Sequence, residues 1–225
     1  MRIKPELISF NICPFVQRSV ITLLEKKVDF KMTYVDLGKP PAWFLETSPL
    51  GKVPVLKVGD VVLFESAVIN EYLDEVNPPA LHPADALKRA QNRAWIEFGS
   101  EMIMKHYNMT IASDSSSFEK VKNQLEREFE RLEKALGEGP YFNGRNLSLV
   151  DAAFAPLFMR IDLLEDQYPL NIYQTSSRVA QWARSLEKLK SVKDSVTSDF
   201  REVYSRFVKS LDSYYSTQIK VTSRK

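Results

Sequence analysis

Nine residues, Asn77 to Asp85 (NPPALHPAD), hold three prolines and divide the chain into two stretches with different hydrophobic periods. Proline lacks a backbone N–H and has a fixed φ, so such a run resists both helix and sheet and marks a linker. Before it, apolar residues come in short, partly alternating runs separated by polar residues, the pattern of strands mixed with helices. Beyond it they recur every three or four residues, as in Phe118, Val121, Leu125, Phe129, Leu132 and Leu136, the pattern of helices alone. The expected architecture is therefore an α/β domain over residues 1–77, a linker over 78–87, an all-α domain over 88–215 and a loose tail over 216–225.

Within the first domain, LISFN (residues 7–11) and FKMTYVDL (30–37) read as strands, and VQRSVITLLEKK between them places Val16, Val20, Leu23 and Leu24 on one helical face. Pro14 suits the first turn of that helix, where its missing N–H would have no partner. VPVLKVGDVVLFE then gives two apolar runs around Gly59-Asp60, a two-residue hairpin signal. A helix follows, with Ser66 as its expected N-cap and Val68, Ile69, Tyr72, Leu73 and Val76 as its apolar stripe. In the second domain SLVD (148–151) has the form of a capping box ahead of AAFAPLF, where Pro156 is expected to kink the helix.

Composition removes several function classes. Lysine and arginine total 31 against 29 aspartates and glutamates, a net charge of +2, too balanced for a nucleic-acid footprint. Seven glycines in 225 residues disfavour glycine-rich phosphate loops and turn-dense β folds. No apolar run approaches the roughly 20 residues of a spanning helix, and the first residues lack the form of a signal peptide, so no membrane partner and a cytoplasmic location are expected. Two histidines and one cysteine have no metal-ligand spacing, so no metal is expected.

A lone cysteine reads either as a small buried hydrophobe or as a reactive thiol, and the context of this one points to the second. Cys13 stands between a strand and a helix, where unpaired N–H groups and the positive end of the helix dipole favour a thiolate, which can bring a thiol from about 8.5 down to about 3.5 to 7.5. A thiolate is the nucleophile of thiol–disulfide exchange. With no second cysteine, a mixed disulfide at Cys13 must be resolved by a small-molecule thiol from outside. Val53-Pro54, at the start of a strand, leaves the Val53 backbone open to an extended peptide. Ser66 with nearby N–H groups can hold a carboxylate, Glu65 can take an amine, and Lys39 and Lys52 can neutralise a second carboxylate.

The segments CPFVQRSVITLLEKK, WFLETSPLGKVPVL, LFESAVINEYLDE and NLSLVDAAFAPLF resemble, in this order, the cytosolic glutathione transferases. They are most similar to the cysteine-type classes that include omega-like thiol transferases and dehydroascorbate reductases. The resemblance implies a thioredoxin-like first domain, a helical second domain and glutathione as cosubstrate in the cleft between them. It implies Cys13 as the catalytic residue, Phe15 as part of the CPF signature, Val53 as a backbone clamp ahead of a cis Pro54, and Glu65 and Ser66 as γ-glutamyl contacts. Lys39 and Lys52 are matched more loosely, to the glycine end. It further implies a homodimer, and a second-substrate pocket for a small electrophile or disulfide against the first helices of the second domain, where Trp95, Phe98, Met102, His106 and Met109 recur at helical spacing.

Two other functions fit parts of the pattern. A non-catalytic regulator resembling the stringent-starvation proteins that contact RNA polymerase would keep the ESAVINEYL phrase without the thiol chemistry. Membrane insertion of the first helix, as in chloride-channel-like relatives, is opposed by Gln17, Arg18, Glu25, Lys26 and Lys27.

Overall fold

The computed structural model describes residues 4–173 and 177–222. The N-terminal domain runs β1 (Glu6–Ser9), α1 (Pro14–Glu25), β2 (Lys31–Tyr34), α2 (Ala42–Thr47), β3 (Val55–Val58), β4 (Val61–Phe64) and α3 (Ser66–Val76). Its sheet has the order β2-β1-β3-β4, with β1 parallel to β2 and antiparallel to β3. The Gly59-Asp60 turn joins β3 to β4 in register Val58 opposite Val61, and Gly59 takes φ +61°, open to glycine at no steric cost. This is a thioredoxin-like mixed sheet with helices on both faces.

Successive side chains of a strand point to opposite faces, so a strand covered on both sides is apolar throughout. In β1, Leu7 joins Val16, Val20, Leu23, Leu56, Ile69 and Leu73 under α1 and α3, while Ile8 joins Val35, Phe44 and Val55 under α2. Leu7, Ile8, Leu23, Phe44, Val55, Leu56 and Ile69 are fully buried, and each such side chain contributes about 1.5 to 3 kcal/mol. Hydrophobic period gives no notice of α2, six residues long with Phe44 as its one buried side chain.

The helical domain comprises α4 (Ala86–Thr110), α5 (Ser115–Ala135), α6 (Leu149–Glu165), α7 (Arg178–Lys188), α8 (Lys190–Lys193), α9 (Phe200–Ser210) and α10 (Tyr214–Thr222). Helix α6 is its axis. Fourteen of its seventeen residues are buried, which is why it has no polar face: a helix surrounded on all sides is apolar on all sides. It packs against α4, α7 and, across the domain boundary, α1. At Gly99 the α4 backbone approaches Phe154 so closely that a Cβ would stand 2.9 Å from the ring. The helix runs unbroken through Pro156. The expected capping box is present, with Ser148 and Asp151 each bonding the other's backbone.

Two sequence expectations change here. Ser66 is the first helical residue of α3 and not its cap, because Glu65 takes the N-cap position with φ +66° and ψ 117°. That backbone is in a region costing non-glycine residues on the order of 1–3 kcal/mol, a kind of strain that clusters at functional sites. Residues 216–222 of the expected loose tail belong instead to α10 (Tyr214–Thr222), and residues 223–225 lie outside the described residues. Tyr215 is fully buried, stacks on Phe118 at 6.0 Å and donates to the Leu164 carbonyl at 2.7 Å. A nine-residue helix shows little periodicity of its own, and its order comes from this docking.

The proline-rich stretch is held against α3 by one carboxylate. Asp74 accepts from the N–H of Leu81 (2.7 Å) and of His82 (3.0 Å) and pairs with buried Lys26, which also reaches the Pro79 carbonyl. Arg93 of α4 holds Glu71 of α3 in a two-point ion pair. The two domains are therefore joined on the α3 side by the Arg93–Glu71 ion pair and on the α1 side by packing on α6.

Candidate active site

Cys13 occupies the N-cap of α1, with extended backbone (φ −73°, ψ 119°) and Pro14 next. Its N–H donates to the Phe10 carbonyl at 3.0 Å, closing the turn that follows β1. The residue is half-buried and free, and its sulfur lies 4.0 Å from the carbonyl oxygen of Val53. The Val53–Pro54 peptide bond is cis and Pro54 is buried. The sulfur and the strand-leading dipeptide thus meet, 40 residues apart in sequence.

Two buried guanidiniums act on the sulfur. Arg18 of α1 is buried, donating to the Ala153 carbonyl (2.9 Å) and to Ser100 Oγ (2.7 Å), with the Phe15 ring 5.1 Å from its carbon. Arg160 of α6, also buried, donates to Gln17 Oε1 (2.6 Å) and to the carbonyls of Pro156 (2.7 Å) and Ile12 (2.9 Å). Burial lowers Arg18 to about 10 and lowers Arg160 as well, while Cys13 acts on both in the opposite direction.

The expectation of a readily formed thiolate is corrected by this setting. Burial pushes the Cys13 thiol above its ordinary value. The backbone N–H groups of Val16 and Phe15, then Arg160 and Arg18, act downward without overcoming it. A helix N-terminus favours an anion, and desolvation opposes it; at the half-buried Cys13 desolvation is the larger effect.

A cavity of about 710 Å³, whose lining does not include Cys13 or Val53, is lined from the first domain by Phe15, Glu65, Ser66, Ala67 and Val68 and from α4 by Glu97, Ser100, Glu101, Met104 and Lys105. Three of those are carboxylates. The one lysine, Lys105, pairs with Glu128 and lies 3.7 Å from Glu101, so the wall facing the start of α3 has a net negative charge. The arrangement offers backbone N–H groups at the start of α3 for an anion and carboxylates around them for a cation.

Of the residues singled out from sequence, Phe15, Glu65 and Ser66 line one cavity, and Cys13 and Val53 meet beside cis Pro54. Lys52 directly precedes Val53, its N–H held by Ser48 Oγ at 3.0 Å, and its side chain is exposed. Lys39 lies on an exposed turn, its N–H on the Asp36 carbonyl at 3.3 Å. Neither lysine lines the cavity.

The expected second-substrate group does not assemble there. Trp95 lines a separate cavity of about 730 Å³ with linker residues Leu81, His82 and Pro83, on the far side of α4. Met102 and His106 are buried in the core of the helical domain. The apolar stripe of α4 is its core face, and the cleft is met by the adjacent stripe of residues 97, 101, 104 and 105, whose polar character at the same spacing was the available signal. Arg18 and Arg160 were missed because a buried arginine has no sequence mark of burial.

His106 is held neutral: burial first, then Arg160, lower it to about 3. A histidine depressed from its ordinary 6.5 contributes stability that is present above pH 6.5 and lost as pH falls toward 3, because the unfolded chain takes up the proton first. The slope approaches about 1.4 kcal/mol per pH unit. The stability difference between the parent and His106→Gln is therefore expected to shift by about 2 kcal/mol against the parent between pH 7.5 and pH 5, measured by urea unfolding. A difference independent of pH would contradict the neutral assignment.

Among the described residues no cluster of three or more histidine, cysteine or acidic side chains is placed to hold a metal, and no helix is long and apolar enough to cross a membrane.

The geometry has counterparts in known proteins. The glutathione S-transferase N-terminal domain profile matches residues 12–76, from the turn before Cys13 to the end of α3, and the C-terminal domain profile matches residues 113–185. Glutathione S-transferase omega-1 of Rattus norvegicus is 32% identical over 161 residues, 70% of this chain and 67% of that protein. A probable cytosolic glutathione S-transferase of Oryza sativa subsp. japonica, DHAR1, is 33% identical over 159 residues, 69% of this chain and 70% of its own. Among solved structures, the omega 3C glutathione transferase of Trametes versicolor superposes with a TM-score of 0.78 at 26% identity, covering 87% of this chain and 90% of that one. A rice glutathione transferase solved in complex with glutathione superposes with a TM-score of 0.80 at 27% identity, covering 92% and 96%. With domain matches over residues 12–76 and 113–185 and relatives above 30% identical over two thirds of the chain, this chain belongs to the glutathione S-transferase family, with omega-class and DHAR enzymes among its relatives.

Proposed function

We propose that the protein is a glutathione-dependent thiol transferase and reductase in which Cys13 is the nucleophile. The reading is carried by the meeting of a free, half-buried Cys13 with the Val53 carbonyl, and by a cavity whose lining matches the charges of a γ-linked tripeptide. The start of α3, at Ser66 and Ala67, receives the γ-glutamyl carboxylate, and Glu65 with its neighbouring carboxylates receives the ammonium. Val53 pairs with the peptide backbone and Phe15 borders the site. Lys52 and Lys39 are reserved for the glycine carboxylate. The protein acts as a cytoplasmic homodimer in this reading and needs no metal.

In the reaction, Cys13 loses its proton to solvent and its thiolate attacks the glutathione sulfur of a mixed disulfide. A Cys13–glutathione disulfide forms, and the other thiol leaves as thiolate and takes up a proton. A second glutathione thiolate attacks the glutathionyl sulfur, giving oxidised glutathione and returning Cys13. One disulfide is reduced and one is formed, so electrons balance. Because burial raises the Cys13 thiol, the rate of the first step is expected to climb through neutral pH into the alkaline range, and a rate already flat at pH 6 would contradict that.

The deciding experiment is intact-mass spectrometry after incubation with oxidised glutathione. One glutathionyl adduct, located at Cys13 and removed by reduced glutathione, is expected. An unmodified Cys13 under these conditions would overturn the assignment and leave the regulator reading.

A further inference from the structure

We propose that Arg160 is a positioning residue for the Cys13 sulfur, reaching from the helical domain to fix the turn before the cysteine and to set a buried positive charge beside a thiolate at that position. The inference deepens the nucleophile reading of Cys13 and rests on it. Arg160 is 3% exposed, yet every partner it has is neutral: Gln17 Oε1, the carbonyls of Pro156 and Ile12, and the rings of Phe200 and Tyr204, 5.1 and 5.5 Å from its carbon. Its Nε has no hydrogen-bond partner among the described residues. Arg18, 1% exposed, is in the same condition, with Nη2 unpartnered. A buried charge costs several kcal/mol unless an opposite charge or a full set of hydrogen bonds answers it.

The groups that face this pair are few. His106 on α4 is held neutral, Tyr204 on α9 is pushed up to about 12, and Glu97 on α4 is exposed and acts on Arg18. No carboxylate acts on Arg160, and Cys13, at the N-cap of α1, is the group whose ionisation brings a negative charge to it. The carbonyl that Arg160 holds at 2.9 Å belongs to Ile12, the residue before it, and Gln17, held at 2.6 Å, lies one turn into α1. Both sides of the sulfur are thus tied to one guanidinium of the other domain. Arg160 also acts on the thiol in the direction of ionisation, as does Arg18.

The test follows alkylation of Cys13 by iodoacetamide against pH, read by intact mass. In Arg160→Met the midpoint is expected to rise by about one unit, a tenfold loss of thiolate at pH values below both midpoints. Arg160→Lys, which keeps the charge, brings it back toward the parent. A merely structural arginine would lower the melting temperature and leave the alkylation midpoint unmoved, which would overturn the proposal, as would Lys and Met giving the same rise. Should Arg160→Met fail to fold, the parent decides by NMR of ¹⁵N-arginine-labelled protein. The Arg160 Nε resonance is expected to titrate with the Cys13 midpoint and to lose that response in Cys13→Ser, and an indifferent resonance would overturn the proposal. These readouts need no turnover, so absence of thiol transfer in the parent would strike the functional reading alone.

Discussion

In Cys13→Ala, reduction of a glutathione mixed disulfide is expected to fall by at least about a thousandfold, because the only side chain able to carry the glutathionyl group is gone. The chain has no other cysteine to take over. The fold should survive: Cys13 is half-buried at the margin of the first-domain core, makes no side-chain cap bond, and its sulfur has one long polar contact, to Val53. Circular dichroism and thermal melting close to the parent, with turnover lost in a coupled glutathione assay, are the expected pair of results. Turnover within threefold of the parent would remove Cys13 from the mechanism. Cys13→Ser separates two chemistries, since a hydroxyl cannot form the mixed disulfide but can hydrogen-bond the sulfur of bound glutathione; a gain of conjugating activity is the expected consequence.

The largest loss of stability is expected at Asp151. Its carboxylate is fully buried and accepts from the N–H of Phe142 (2.8 Å), the N–H of Ser148 (2.7 Å), Ser148 Oγ (2.7 Å) and Trp182 Nε1 (2.7 Å). It thus ties the start of α6 to the preceding loop and to α7. Burial raises this carboxyl, and the four bonds oppose that effect. Asp151→Ala leaves buried donors without an acceptor, each costing about 1 to 3 kcal/mol, so a total near 4 kcal/mol is expected after the Ser148 hydroxyl rotates to another partner. Urea unfolding measures it. A loss below about 1 kcal/mol would mean that water replaces the carboxylate. Asp151→Asn, which keeps one carbonyl oxygen, should fall between the two.

Much of the first domain was legible before any coordinates. Short apolar runs and helical periods located β1, α1, the β3–β4 hairpin and α3, because the central strands are covered on both faces and each of these helices buries one face against them. Helix α2 was not legible, since one buried Phe44 carries no period. At the site, Cys13, Val53 and Pro54 could be marked because their backbone positions are fixed by local rules, a helix start and a strand start. Ser66 was displaced by one residue because Glu65 accepts a strained φ that no local preference would assign to it.

The α4 stripe illustrates the other limit. Trp95, Met102 and His106 recur at helical spacing, yet spacing cannot say whether an apolar stripe meets a cleft or a core. Only the packing of α4 on α5 and α6 decides that Met102 and His106 face inward and that Glu97, Glu101, Met104 and Lys105 face the cavity.

By itself the sequence located most elements of the first domain and placed a lone cysteine at a helix start, since these depend on residues a few positions apart. The state of that sulfur was decided by the tertiary structure. Desolvation and the field of Arg18 and Arg160 are sums over groups brought together from α1 and α6, and opposite effects of similar size cannot be ranked until distance and burial are known.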